Sequence, residues 1–496
     1  MKKNIILLTV FGLLSIFNSC SDDDIIKESP NDVLVDGFYK TEGDFTKAIY
    51  GLYQDFKQIG FYGGSGYSRD LVVVGDILSD NLLSNYGGRG SNRPANNWTY
   101  DSSQTPTDIY EAGYRMVSDA NFILSKIDNL KDGEFKNRIK AEAILIRAIA
   151  HFEIARHYAQ IPTQSANSAS TIGIPYLTTY NSEFKPSRTK TIKEVYDDII
   201  QDVESVINNL PNNYQDINRL NQYSASGFLS RVYLYNGNYD KVIEHAEKVV
   251  KAVQPTSKND IENFWSSKTS KGSLFEIPYL QANDPSIGSN FGYGTNANNM
   301  VMEFSVDKAL YDLYDESTEP ERKKSYFKIY NLAGDANNAN IIVNKYYPSN
   351  IKNYINNARY LRVEEVIFNL AEAYYLKGNF DQALQTLNIE RAQRYSTFKG
   401  EEKGEELFEA IITERRKELA FENGDRWFTL KRLLGVKNIP SKYNQGIKRS
   451  GNGYRADGSG TAPVQLELKE SDYRWQLPIP KEAINRNENL DQNKGY

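Results

Sequence analysis

The residues of this 496-residue chain that could do chemistry are few and poorly grouped. There are three histidines in all. His151 and His157 stand six positions apart in one helical run, which puts them about 120° off a common face. They do not make a zinc helix, and they read as packing residues. A single cysteine excludes both a thiolate cluster and a disulfide framework. Gly63-Gly64-Ser65-Gly66 lacks the Lys-Ser/Thr ending and the strand–turn–helix setting of a nucleotide loop. With 64 acidic residues, a glycosidase carboxylate pair can be neither read nor excluded from spacing. Glu414-Arg-Arg-Lys-Glu418 has the charge spacing of a salt-bridged helix surface. No catalytic residues, no cofactor and no metal set are therefore expected. The chemistry left over is that of binding. Residues 59–106 carry Tyr86, Arg89, Arg93, Asn96, Asn97, Trp98 and Tyr100 among glycines and asparagines, and residues 253–300 carry Trp265, Phe291, Tyr293 and Asn296. Residues 436–475 have the same character. Loops this long are functional or disordered, and linkers are poor in aromatics, so these read as ordered binding loops.

The elements that must position them are helical. Thr191-Ile-Lys-Glu194 is a capping box. Behind it Ile192, Val195, Ile199, Val203, Val206 and Leu210 recur at three- and four-residue steps until Pro211. Residues 139–158 are apolar on nearly all sides, which predicts a buried helix. Further helices read at about 42–58, 107–128, 221–236, 239–252, 361–377, 380–392 and 405–421. Val72–Val74, Leu274–Ile277 and Ile341–Val343 are the strand candidates. Residues 231–240 align without gaps with 372–381: a helix end, Gly-Asn, an aromatic, Asp, then a second helix. Such hairpins are the unit of a tetratricopeptide-type stack, with Gly237 and Gly378 closing the first helix and Tyr239 and Phe380 packing back between the pair. The expected fold is all-α, a scaffold of tetratricopeptide-like hairpins with long irregular loops and a few short strands.

The N-terminus is an address. Lys2 and Lys3 precede a mostly apolar run over 5–17, too short for the roughly 20 residues that span a bilayer and suited to a signal peptide. Asn18-Ser19-Cys20 resembles a bacterial lipobox, which makes Cys20 the lipid attachment site. Ser21-Asp22-Asp23-Asp24 resembles the surface-export signal of Bacteroidetes lipoproteins. The organisation expected is a signal peptide at 1–19, a lipidated acidic linker at 20–30 and one body at 31–496. Fifty-nine basic against 64 acidic residues argue against nucleic acid as a partner.

Residues 414–432, Glu-Arg-Arg-Lys-Glu-Leu-Ala-Phe-Glu-Asn-Gly-Asp-Arg-Trp-Phe-Thr-Leu-Lys-Arg, resemble the C-terminal signature of the SusD/RagB family of outer-membrane lipoproteins. Thr429 stands where Asp is frequent. The stretches 147–162, 173–176 and 477–496 resemble other parts of the same family, with Lys494 in place of a frequent Pro. The resemblance implies a non-catalytic cell-surface receptor, lipid-anchored in the outer membrane and facing outward. It captures an oligosaccharide and delivers it to a TonB-dependent, SusC-like transporter. A peptide receptor of the RagB type is the alternative within that class, and a surface glycan hydrolase is the alternative outside it. A glycan presents C–H faces to aromatic rings and hydroxyls to amides and guanidiniums, so Tyr86, Arg93, Asn97, Trp98, Tyr100, Phe291 and Tyr293 are the expected ligand contacts. Stacking requires Trp98 to be partly exposed; a buried Trp98 counts against this mechanism and toward the hydrolase.

Overall fold

The structure, a computed structural model, describes residues 38–63, 70–86, 90–279, 287–293, 301–331, 339–346 and 356–496. The signal peptide, Cys20, the acidic linker, Gly64–Gly66, Arg89 and Asn296 lie outside them.

Eleven helices carry the body: α1 (Glu42–Gln54), α2 (Leu71–Leu78), α3 (Ile109–Ser125), α4 (Glu134–Tyr158), α5 (Ile192–Val206), α6 (Gln222–Asn236), α7 (Tyr239–Ala252), α8 (Val363–Leu376), α9 (Phe380–Ala392), α10 (Glu405–Leu419) and α11 (Asp425–Leu433). Short strands form five two-stranded antiparallel pairs. They are β1 (Leu82–Ser84), β2 (Ser273–Ile277), β3 (Gly292–Tyr293), β4 (Val301–Met302), β5 (Phe304–Val306), β6 (Phe327–Asn331), β7 (Ala339–Val343), β8 (Ala358–Arg362), β9 (Ile447–Lys448) and β10 (Glu467–Leu468). The pairs are β1–β5, β2–β8, β3–β4, β6–β7 and β9–β10. Among the described residues no helix is long and apolar enough to cross a membrane.

α4 is buried on every side from Ala141 to Tyr158 and packs against α1, α3 and α5. Thr191 caps α5 as its sequence demands: its hydroxyl accepts from Glu194 N, and the Glu194 carboxylate accepts from Thr191 N at 2.7 Å. The two aligned hairpins are α6–α7 and α8–α9, and they pack on each other through α7 and α8. Their turns are built alike. Gly237 and Gly378 take φ of +76° and +80°. The following Asn238 and Asn379 donate to Tyr233 O and Tyr374 O at 3.0 and 2.8 Å, the six-to-one bond of a Schellman turn. At Gly378 an added Cβ would meet nothing within 4 Å. Glycine is needed there for backbone freedom alone, not for space. Tyr239 packs against the core, but Phe380 is 47% exposed and meets Tyr375 edge-on, with centroids 5.2 Å apart.

Two expectations are corrected. Val72–Val74 is helix, not strand: all eight residues of α2 are buried, so no amphipathic period marks it. Gly75 lets α2 lie directly on the turn before α11, where a Cβ would come within 2.2 Å of Gly424 Cα. The run 414–418 is not surface either. Glu414, Arg415, Lys417 and Glu418 are all at most 4% exposed. Arg415 pairs with Asp425, and the other three join an interior network of Glu319, Glu364, Glu390, Glu414, Glu418 and Glu422 with Arg322, Lys345, Arg362, Arg394 and Lys417. Burial, outweighing Arg394, pushes the Glu390 carboxyl well above its usual range.

A second carboxyl pair sets a pH dependence. Asp55, just after α1, hydrogen-bonds Asp119 of α3, with Gln58 donating to Asp55 at 2.7 Å and Arg115 nearby. Burial, and then the Asp119 charge, push Asp55 up to about 7, and burial also raises Asp119. The folded state therefore binds protons more tightly than the unfolded chain, whose Asp titrates near about 3.9. The pair's contribution is fully present below about pH 4 and is lost as pH rises through about 7. Asp119→Asn is expected to match the wild type at pH 5 and to exceed it at pH 8 by on the order of 1 kcal/mol. Urea denaturation at the two pH values checks this; equal stability at pH 8 would refute it.

Candidate functional site

The segment after β1 is tied down by its own aromatics. Trp98 is 1% exposed and has φ of +50°. Its Nε1 donates to Leu78 O at 2.9 Å, and the Arg449 guanidinium lies 3.7 Å from the ring centroid. Arg449 has backbone carbonyls as hydrogen-bond partners: Ser79 O at 2.8 Å, Ile77 O at 3.0 Å, Leu78 O at 3.2 Å, and Asn96 O. Three of these are the open C-terminal end of α2, where a cation is favoured. Two further buried lysines do the same elsewhere. Lys431 Nζ donates to Arg156 O and Ala159 O at 2.8 and 2.7 Å at the end of α4. Lys345 Nζ donates to Glu418 O and Ala420 O, both at 2.8 Å, at the end of α10. Burial lowers both ammonium groups, Lys345 to about 8 and Lys431 well below its usual range.

Tyr100 is 4% exposed, and its hydroxyl donates to Arg474 O. Arg474 Nη1 in turn donates to Trp98 O at 2.8 Å. Phe291 is fully buried and stacks on Tyr346 with centroids 5.5 Å apart. Trp98, Tyr100 and Phe291 are thus anchors and not ligand platforms: each side chain is buried, which leaves no ring face open to a ligand. The stacking mechanism expected of Trp98 fails. Tyr293 lies on β3, opposite Val301.

The remaining expected contacts meet in one place. Tyr86, Arg93 and Asn97 are partly exposed. The Arg93 guanidinium lies 4.5 Å from the Tyr86 ring centroid. Tyr86 stacks with Tyr454, centroids 6.3 Å apart and planes at 28°. Arg455 lies at 6.0 Å from the Tyr454 centroid, and Asn97 Oδ1 accepts from Val464 N at 3.0 Å. Two loops far apart in sequence, 86–97 and 454–464, therefore build one aromatic and polar face. β1 holds the first loop through its pairing with β5, and Glu303, next to β5, accepts from Asn85 N and Ser91 N. Tyr454 was not singled out from the sequence. Its signal was the glycine-rich setting Gly451-Asn-Gly453-Tyr454-Arg455, in a stretch already marked by composition.

The histidines pack. His151 Nε2 accepts from Leu177 N at 3.0 Å, and His157 Nδ1 lies 2.6 Å from Glu153 O. Burial pushes His151 down to about 3 and His157 well below its usual range, so both are neutral.

A family model described as starch-binding and associating with the outer membrane matches residues 63–234, and a model of the SusD family matches 330–496. The chain belongs to the SusD/RagB family. SusD-like protein P2 of Formosa agariphila is 24% identical over 99% of both chains. Among solved structures, a SusD superfamily protein of Bacteroides thetaiotaomicron superposes with a TM-score of 0.75 at 23% identity, covering 91% of this chain and 99% of its own. A SusD-like carbohydrate binding protein of Bacteroides vulgatus gives 0.72 at 19%, covering 91% and 97%. These likenesses fix the SusD fold. In it, the family signature at 414–432 is the α10–α11 pair, and it carries the interior ion network rather than the aromatic face.

Proposed function

We propose that this SusD/RagB protein is a non-catalytic nutrient-uptake receptor that binds an oligosaccharide at the Tyr86–Tyr454 face and delivers it to a TonB-dependent transporter. The observation that carries the reading is the paired, partly exposed tyrosines drawn from two loops, with Arg93, Arg455 and Asn97 around them. Rings meet the C–H faces of a sugar; guanidiniums and amides meet its hydroxyls. The family's description as starch-binding and outer-membrane-associated supports the ligand class and the location. Lipid anchoring at Cys20, exposure on the outer face and a single body over 31–496 rest on the sequence pattern. Replacing Cys20 with Ala tests the anchor by releasing the protein from the membrane fraction.

A glycan array on the purified body supplies the ligand. Tyr86→Ala and Tyr454→Ala are each expected to weaken its binding by about 1–3 kcal/mol, the usual loss for a hot-spot aromatic. Unchanged affinity would remove this face from the mechanism. Shortening of the oligosaccharide on incubation would move the protein to the hydrolase class, the alternative that burial of Trp98 leaves standing. Co-purification of a TonB-dependent barrel tests the partner.

A further inference from the structure

Away from the paired tyrosines, a cavity of 280 Å³ lies between α10, α11 and the segment 441–448. Its charge is one-sided. Arg416, Arg426, Lys442 and Lys448 line it, with Asp80 the one acid in the lining among the described residues. Arg426 grips Asp80 side-on, Nε to Oδ1 at 2.8 Å and Nη2 to Oδ2 at 2.9 Å. Arg416 directs Nε to Asn81 Oδ1 at 2.8 Å and Nη2 to Asp80 O at 2.7 Å, with Nη2 also 3.2 Å from Asp80 Oδ2. The Nη1 group of each arginine has no hydrogen-bond partner among the described residues. Lys442 pairs with Glu409 at 2.7 Å on the outer rim; Lys448 has no ion pair among the described residues. Counting Glu409, four cations face two carboxylates.

The imbalance sits where water is scarce. The Arg416 and Arg426 side chains are 14% and 12% exposed. Asp307 acts on Arg416 and Asp425 on Arg426 from beyond ion-pair distance, so two guanidiniums sharing one carboxylate leave a positive charge largely desolvated and incompletely countered, an arrangement that favours an added anion. Although burial opposes it, the two arginines hold the Asp80 carboxyl well below the usual range, so it does not relieve the site by taking a proton. Leu313, Ile412, Leu430, Tyr443 and Ile447 give the rest of the wall its apolar surface, with Thr413 and Gln445 as neutral polar groups. The volume is near the lower end of the roughly 300–1,000 Å³ of small-molecule pockets, enough for one ring and not for a chain.

We propose that this cavity binds a small organic oxyanion, a carboxylate or sulfate ester on a ring-sized carbon body, held by the Nη1 edges of Arg416 and Arg426 and by Lys448. Guanidinium edges fit planar and tetrahedral oxyanions with directed N–H groups, and Lys448 adds a mobile point charge at the mouth. The same chemistry serves a free acid or one acidic residue of an oligosaccharide.

The test uses the whole body, titrated calorimetrically at constant ionic strength with sodium glucuronate, glucose 6-sulfate, glucose and sodium sulfate. Saturable binding of a charged sugar is expected, with none for glucose. Lys448→Glu, at an exposed position that should not disturb folding, is expected to weaken it at least tenfold, and Arg426→Lys to weaken it as well. Lys448→Glu should leave binding of a neutral oligosaccharide as in the wild type, which separates this site from the tyrosine face. Equal binding of glucose, or charged-sugar binding unaffected by Lys448→Glu, overturns the proposal. Sodium sulfate bound as tightly as the sugars overturns the organic part of it. If charged and neutral oligosaccharides both lose affinity with Tyr86→Ala and neither with Lys448→Glu, one site serves both and this one is refuted. A charged-oligosaccharide arm beside free glucuronate distinguishes the two sources.

Discussion

Arg394→Ala is expected to lower the unfolding free energy by about 3–5 kcal/mol, the cost of removing one partner from a buried ion pair. Arg394 is 1% exposed. Its Nε and Nη2 donate to Glu418 at 2.8 Å each; Nη2 also lies 3.0 Å from Glu390 and 3.2 Å from Glu364. Without the guanidinium, Glu390 has no ion pair left among the described residues, Glu364 keeps only Arg362 there, and Glu418 loses its two shortest cationic contacts. A paired change, Arg394→Met with Glu418→Gln, should cost less than the sum of the single changes, because the charge left unpaired in each single variant is gone. An exposed pair offers the contrast: Lys193 with Asp197 on α5 should give at most about 0.5 kcal/mol. Urea denaturation of the wild type, the single variants and the paired variant decides the matter. An Arg394→Ala loss below about 1 kcal/mol would mean that the network relaxes or takes up water, against the reading of a dry interior.

Trp98→Ala is expected to cost about 3–5 kcal/mol of stability, the range for removing a buried large aromatic, and to leave intrinsic ligand affinity unchanged. The indole fills the space under Arg449 and closes the Leu78 carbonyl. Its loss leaves a cavity and a guanidinium with nothing on its face, and it loosens the link from α2 to residues 96–98. Affinity corrected for the folded fraction is the deciding measurement. A protein that melts as the wild type does but binds tenfold more weakly would restore Trp98 to the ligand face.

Local chemistry was the part of this structure readable in advance. The capping box at Thr191, the Gly-Asn turns at 237 and 378, and the strands around Leu274–Ile277 and Ile341–Val343 each follow from residues within a few positions of one another. Where the determinant was distant, the sequence misled. Three consecutive valines favour a strand by propensity, yet packing on Gly424, some 350 positions away, makes that segment helical. Glu414–Glu418 has surface spacing, but its partners Arg322, Arg362 and Arg394 come from three other parts of the chain. An aromatic in a glycine-rich loop can fasten that loop or offer a ring to a ligand. Trp98 and Tyr86 share a loop and differ in burial: Arg449 helps to seal the first, whereas Arg93 and Tyr454 flank the second and leave it partly exposed.

The three cations that close helix ends also bear on the order in which the chain can be completed. α2 and α4 are made early, yet the groups that cover their last carbonyls, Arg449 and Lys431, come some 370 and 270 positions later. During synthesis from the N-terminus, Leu78 O can meet Trp98 early, but the Ile77, Ser79, Arg156 and Ala159 carbonyls gain Arg449 and Lys431 only when the final eighth or so of the chain arrives. The first half is thus held short of its native state while the ribosome finishes. On the proposed export route, that delay keeps a half-made body from locking before it crosses the membrane.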